Sequence, residues 1–347
     1  SNNDINRSKH RLLAGLFLGL AVLTKGPVAI LIAILCLAVY LLVTKFKSAI
    51  RIKDVLLISL VSFGVVFIWF ATVLLKHGLA YGNWFLNEFI TYQIRLFRTE
   101  DADHGGPFVY HFIVLLIGCF PASLFLFKKH KENKNVLFNT WMWISLAVVL
   151  LLFSIVKTKI VHYSSFCYFP LSYLAAYNIS LIISNRETIS RWVKILLYSI
   201  GSIWSIVWIS LPLIGIYKNK LIPFIEDPFA VGNLQAPVQW SFYEIGIGFV
   251  YLIGLCYIIF KLNSNFEYYC KRLIAFQVIF IFICSNYFTP KIEQYSQGAA
   301  IAYYQSFKDK DVFVEPLSYK SYAHLFYTNK IKSTMYLTVL FIFFNHI

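Results

Sequence analysis

Charge is what this chain has least of. Of its 347 residues, only 14% are Asp, Glu, Lys or Arg, against about 25% in an average soluble domain. With 59% hydrophobic residues, that shortage excludes an ordinary water-soluble fold. Acids are scarcer than bases, 16 against 31, for a net charge of +15. The excess does not point to nucleic acid, because the basic residues fall in short clusters between apolar runs and not on one continuous face. The six cysteines lie in or beside apolar segments, with no CxxC pair and no histidine at ligand spacing. Neither a disulfide nor a metal centre is implied. A glycine-rich phosphate loop, an internal repeat and a low-complexity tract are all missing, which argues against cytosolic nucleotide chemistry. No signal peptide is visible either. The polar opening SNNDINRSKHR runs straight into an apolar helix, and the natural start is expected upstream.

What the chain does have is long apolar runs. Val55 to Leu75, Phe108 to Leu126, Val136 to Val156 and Ile195 to Ile216 each approach the roughly 20 residues that cross a bilayer as helix. The whole series predicts an all-α polytopic membrane protein. About nine transmembrane helices are expected, near residues 12–23, 28–44, 55–76, 108–127, 136–156, 160–183, 193–216, 240–260 and 272–289. Residues 1–289 then form a membrane domain, and 290–347 a small, incomplete extracytoplasmic α/β region. That region reads as a helix over Ile292 to Phe307, a strand over Val312 to Val314 and a second helix over Tyr319 to Phe326. The apolar tail 333–347 has no assigned role.

Positive charge in short loops marks the cytoplasmic side of a membrane protein. Arg7, Lys9 and Arg11, then Lys45, Lys47, Arg51 and Lys53, then Lys128, Lys129, Lys131 and Lys134, alternate with loops poorer in charge. The alternation continues at Arg186, Arg191 and Lys194, and at Lys261, Lys271 and Arg272. It leaves outside the segments Thr24 to Pro27, His77 to Pro107, Lys157 to Lys159 and Tyr217 to Trp240. The segment 77–107 carries Leu79, Phe85, Phe89, Tyr92 and Leu96 at helical spacing. It is expected to lie on the membrane surface, with Trp84 and Tyr92 at headgroup depth and Arg95 and Arg98 on the polar side. A purely anchoring helix is the alternative.

Lysines outside stand against that charge rule. Lys25 sits in a tight TKGP break, and Lys157 and Lys159 sit in KTKIVHY. If the helices pack, the three ammonium groups meet at one depth and hold a lipid phosphate. The plainer alternative is that each snorkels to the interface as an anchor. Arg95, Arg98, His104 and His162 add further cationic or titratable groups to these outer segments.

The stretches LAGLFLGLAVLTKGPVAILI, YQIRLF with HGGPFVYHF, and KTKIVHYSSFCYFPLSYLAA resemble the membrane region of bacterial aminoarabinose (lipid A) transferases and their protein O-mannosyltransferase relatives. These are GT-C glycosyltransferases that use polyprenyl-phosphate sugars on the periplasmic face. The resemblance covers about residues 12–183 well and the rest loosely. It matches Lys25 to the lysine of the family's TKG turn, and Lys159, His162 and Tyr163 to its K-L-P-H-Y element, with Val161 in place of the proline. Arg95 resembles the outer-loop arginine near the carrier phosphate, and His104 with Pro107-Phe108 the end of that mobile loop. Tyr92 or Gln93 stands where some members have a histidine. That puts the divalent metal of some relatives in doubt here; no cofactor is certain, and none is assigned among these residues.

The resemblance implies transfer of a sugar from a polyprenyl-phosphate carrier to an acceptor hydroxyl on lipid A, a protein or another glycan, at a bacterial inner membrane. A carboxylate must take the proton and cations must stabilise the leaving phosphate. Lys25, Arg95 and Lys159 are the carrier-phosphate candidates, with Arg98 fourth; His104, His162 and Tyr163 are expected to shape the site. The acidic base is expected upstream of this chain, so the catalytic residue is unassigned and the isolated polypeptide is expected to be inactive. Glu88, Glu100, Asp101 and Asp103 read as a solvated charge run. A lipid-linked-sugar flippase or transporter is the main alternative, although ionisable groups at mid-membrane, its usual mark, are nearly absent. A polysaccharide ligase or polymerase is a second.

Overall fold

The structure, a computed structural model, describes residues 2–46, 51–98, 105–126, 136–312, 314 and 322–329. The chain divides into two compact units, 1–193 and 194–347.

In the first unit, α1 (Asn2–Lys25), α2 (Val28–Val43) and α3 (Ile52–Arg98) run up, down and up. α1 and α3 are parallel and almost touch. A Cβ built on Gly15 would lie 2.7 Å from Val61 Cβ, and one on Gly19 would lie 2.7 Å from Val65 Cβ. Two glycines one turn apart open the groove that the valines fill, which is how helices pack where lipid supplies no hydrophobic drive. At the charged end Asp54 accepts ion pairs from Arg7 at 2.7 Å and Arg11 at 2.9 Å.

α3 is not one rod. Gly78 takes φ 80° and ψ 167°, a region open essentially to glycine alone, and the chain turns back on itself there. Phe85 and Phe89 on the returning arm lie 6.0 and 5.8 Å from the Phe70 ring. Within the stretch expected to lie on the membrane surface, the described residues 79–98 form the second arm of a hairpin. Phe85 and Phe89 are half-buried while Leu79 and Trp84 are exposed.

α4 (Tyr110–Gly118) is short, because Pro121 lacks the N–H that would continue it, and a 3-10 turn, Ala122–Phe125, follows. α5 (Val136–Ile155), a second 3-10 turn at Val161–Cys167 and α6 (Tyr168–Ser184) complete the unit. Its core gathers Leu115, Val149, Phe153, Cys167, Leu171 and Leu174. Asn178 of α6 donates to the carbonyls of Phe125 and Leu126, both at 2.7 Å, and so fixes the 3-10 turn after α4.

In the second unit α7 (Arg191–Ile216) continues into the helices Ile245–Lys261 and Phe266–Ser296. Ser205 donates to the Gly248 carbonyl at 3.0 Å, and Tyr251 donates to Gln277 at 2.8 Å. Glu244 is buried. It accepts from Lys291 and, at 2.6 Å, from the Tyr287 hydroxyl, while the Lys291 ammonium lies 4.6 Å from the Trp240 ring and 5.0 Å from that of Tyr287. Lys291 also donates to the Gln239 carbonyl at 2.9 Å, and the Ser241 N–H donates to Glu244 at 3.2 Å, so the cluster acts as a clamp on the helix ends.

Among the described residues, six segments are long and apolar enough to cross a membrane: Ile52–Tyr92, which Gly78 divides, Leu137–Ile155, Val161–Ser184, Arg191–Ile216, Phe242–Lys261 and Phe266–Ser296. The expectation of about nine is corrected among the described residues. α2 has 16 residues, the apolar part of α1 is shorter still, and the stretch 108–127 is split at Pro121. The expected α/β character of the C-terminal region is also corrected: the described residues there hold short helices, Gly298–Gln305 and Ala323–Thr328, and no strand. Among the described residues Val312 and Val314 have no partner strand, and a lone strand does not persist. The tail 333–347 lies outside the described residues.

Candidate functional site

The TKGP break is built by its own residues. Gly26 takes φ 75° and donates to the Val22 carbonyl at 2.8 Å, and Pro27 opens α2. α1 therefore ends at Lys25 and α2 begins at Val28, three residues later, with no side chain capping its first turn. A lysine at one helix C-terminus sits beside the uncapped N-terminus of the next. The N–H groups of Ala29, Ile30 and Leu31 donate to the Gly26 and Pro27 carbonyls, so what this end of α2 offers an anion is chiefly its helix dipole. Lys25 is exposed, and no partner holds its ammonium among the described residues.

Lys25 lines a cavity of about 590 Å³, within the range of about 300–1,000 Å³ for small-molecule sites. Its walls are otherwise mostly apolar. They come from Leu18 and Ala21 of α1, Ile32 and Ala33 of α2, and Phe153 and Val156 at the end of α5. The 3-10 turn contributes Tyr163, Ser165 and Phe166. Tyr163 is half-buried, with its ring 5.4 Å from Phe153. His162 is exposed and meets the Tyr163 ring edge-on at 5.0 Å.

Lys159 is placed otherwise than Lys25. It is buried, and its ammonium donates to the carbonyls of Phe153 at 3.0 Å, Ser154 at 2.7 Å and Val156 at 2.5 Å. These are C-terminal carbonyls of α5 that no helical N–H reaches. All three ammonium protons are committed there, immediately behind the cavity wall, and burial pushes the Lys159 pKa below the ordinary lysine value. The segment 105–107 covers its stem, since a Cβ on Gly106 would lie 3.0 Å from Lys159 Cγ. Lys157 is exposed. Of the outer lysines, Lys25 is the one that lines the cavity.

Arg95 is exposed on the returning arm of α3, with its guanidinium 5.4 Å from the Tyr92 ring, and does not line the cavity. The side chain of Arg98 and the whole of His104 lie outside the described residues. Among the described residues no three His, Cys, Asp or Glu side chains converge.

One polar pair escaped the sequence reading. His111 on α4 is fully buried, with Nδ1 3.1 Å from Ser164 Oγ, and Ser164 donates in turn to the Val161 carbonyl at 3.2 Å. Ser164 has one proton to give, so Nδ1–H is the donor to its oxygen. Nε2 is then left as a buried acceptor without a partner among the described residues. The pair ties α4 to the turn that carries His162 and Tyr163. Its signal was the second histidine of HGGPFVYHF, which spacing alone does not separate from a core residue. His111→Leu and Ser164→Ala should each cost about 1–2 kcal/mol, and the double variant should cost clearly less than the sum. Thermal unfolding in detergent checks this.

These features define a multi-pass helical membrane protein with an apolar cavity that carries a cation at its rim. No protein-family model matches the chain. It is 30% identical over 202 residues to an undecaprenyl phosphate-alpha-4-amino-4-deoxy-L-arabinose arabinosyl transferase of Wigglesworthia glossinidia brevipalpis, across 56% of this chain and 35% of that protein. The protein of the same name from Pectobacterium carotovorum is 29% identical over 247 residues, 67% of this chain and 42% of its own length. The chain thus spans well under half of the curated relatives it matches. Its fold is shared with the crystal structure of ArnT from Cupriavidus metallidurans bound to undecaprenyl phosphate, at a TM-score of 0.60 and 17% identity, over 93% of this chain and 56% of that one. The chain is accordingly similar in sequence to part of these arabinosyl transferases and shares the fold of a solved one.

Proposed function

We propose that this chain forms the carrier-binding part of a glycosyltransferase that moves a sugar from undecaprenyl phosphate to an acceptor hydroxyl at the periplasmic face of a bacterial inner membrane. The observation that carries the reading is the mostly apolar cavity with Lys25 and the positive dipole end of α2 at its rim. A lipid phosphate needs positive charge for its head and apolar walls for its tail. The names of the relatives favour 4-amino-4-deoxy-L-arabinose as the sugar, and the resemblance set out from the sequence favours lipid A as the acceptor.

In this reading Lys25 neutralises the phosphate as it leaves the anomeric carbon. Tyr163 presents its hydroxyl to the same site from the cavity wall. Lys159 adds fixed positive charge behind that wall and keeps the end of α5 closed. Arg95, Arg98, His104 and His162 are proposed to approach the head group from the outer side. No carboxylate among the described residues is assigned the proton-accepting role, and the part proposed for this chain is carrier binding.

The test is transfer of labelled aminoarabinose from its undecaprenyl-phosphate donor in membranes that carry the whole gene product. Labelled acceptor supports the reading. Movement of carrier lipid between leaflets with no labelled acceptor replaces it with the flippase.

A further inference from the structure

The cavity has a floor. On α2 the residues that line it recur along one face: Val28, Ala29, Ile32, Ala33, Cys36 and Leu37. The next position on that face is Tyr40, and it does not line the cavity. Tyr40 is buried and stacks on Trp141 of α5, with ring centres 4.3 Å apart and planes 17° from parallel. Trp141 is itself a lining residue, so the stacked pair closes the end away from Lys25.

The depth follows from α1, whose lining residues run from Lys25 at the rim to Ala14 beside the floor. Along a helix at about 1.5 Å per residue, these are about 16 Å apart. One leaflet of a hydrocarbon core of roughly 30 Å is about 15 Å deep. The cavity is thus about as long as one leaflet is deep. Ala14, Ala21, Ala29 and Ala33 keep it open for a chain, and the aromatic pair stops it.

We propose that the Tyr40–Trp141 stack is a chain-length stop: it sets how much of an isoprenoid tail the protein holds, and a longer tail leaves the cavity at that level. The proposal rests on the carrier-binding reading above. Its occupant is the tail of an isoprenoid phosphate, because the rim offers a phosphate the Lys25 ammonium and the positive dipole end of α2 while the walls are mostly apolar. Discrimination has to come from shape, since a tail that moves from lipid into an apolar cavity gains little from the hydrophobic effect. A raised floor should exclude long tails, and an opened floor should admit more of them.

The experiment is competition binding of geranyl, farnesyl, geranylgeranyl and undecaprenyl phosphate to the full chain in nanodiscs. Each variant is read as its ratio to wild type with the same probe, so partitioning into the surrounding lipid cancels. Ala33→Phe, which fills the cavity halfway down, should weaken geranylgeranyl and undecaprenyl phosphate about tenfold or more, while geranyl phosphate stays within about twofold. Trp141→Ala, which opens the floor, should shift the preference several-fold, by about the cost of a lost large side chain, toward the longer probes. The two variants push in opposite directions, so a general loss of folding cannot imitate the pattern. Equal ratios across all probes in both variants, with binding still dependent on Lys25, overturn the length stop and leave the carrier site standing. Binding indifferent to Lys25→Ala, or phosphatidylglycerol competing as well as geranylgeranyl phosphate, overturns the carrier reading itself.

Discussion

Lys25→Ala is expected to lower sugar transfer by the whole gene product about a hundredfold or more, the usual loss when one preorganised donor to a developing anion is removed. The folded protein should be unharmed, because Lys25 is exposed and holds no partner among the described residues. Lys25→Arg should restore part of the loss, since the charge returns but the guanidinium is broader and differently aimed. The measurement is labelled-sugar transfer in membranes at matched protein level, with carrier binding followed separately. Unchanged transfer by the alanine variant would remove Lys25 from the site and leave it an interfacial anchor.

Lys159→Ala should fail in a different way. Its ammonium closes three carbonyls at the end of α5, and each loses its partner when the side chain is cut back. Unsatisfied buried carbonyls cost about 1–3 kcal/mol apiece, and relaxation will recover some of that. A net loss of about 3 kcal/mol or more is expected, seen as a lower midpoint of thermal unfolding in detergent and a poor yield of monodisperse protein. Carrier binding should then fall with the folded fraction. If Lys159→Ala stays as stable as wild type but loses the carrier, Lys159 turns outward when a phosphate is present and joins Lys25 as a direct ligand. The two lysines look alike in sequence, and these experiments separate them.

Much of the site was legible because the signals were local. TKGP announces a helix break by its glycine and proline, and the structure puts Gly26 at a left-handed φ and Pro27 at the start of α2. The amphipathic spacing over 77–107 marked an arm that packs Phe85 and Phe89 inward. It did not reveal that Gly78 reverses the chain, because a glycine in a helical pattern reads equally as a tolerated residue. The expectation that Lys25, Lys157 and Lys159 share one depth followed from their place between spans. Burial and hydrogen bonding then gave them separate fates, and no spacing rule carries that information. The GxxxG of α1, the His111–Ser164 bond and the Tyr40–Trp141 stack each depend on residues far apart in the chain. A single sequence offers only half of each pair.

By itself the sequence determined the solvent of this protein, its helical class, the break at Lys25 and the likeness to carrier-lipid transferases. Those properties follow from composition, from hydrophobic run length and from short motifs that act on their own neighbours. Only the tertiary structure decided how many helices are long enough to span, which lysine faces an apolar cavity and which one seals a helix end, and where that cavity stops. Those outcomes depend on which faces meet, and on whether a neighbouring carbonyl or ring is there to satisfy a charge or fill a space.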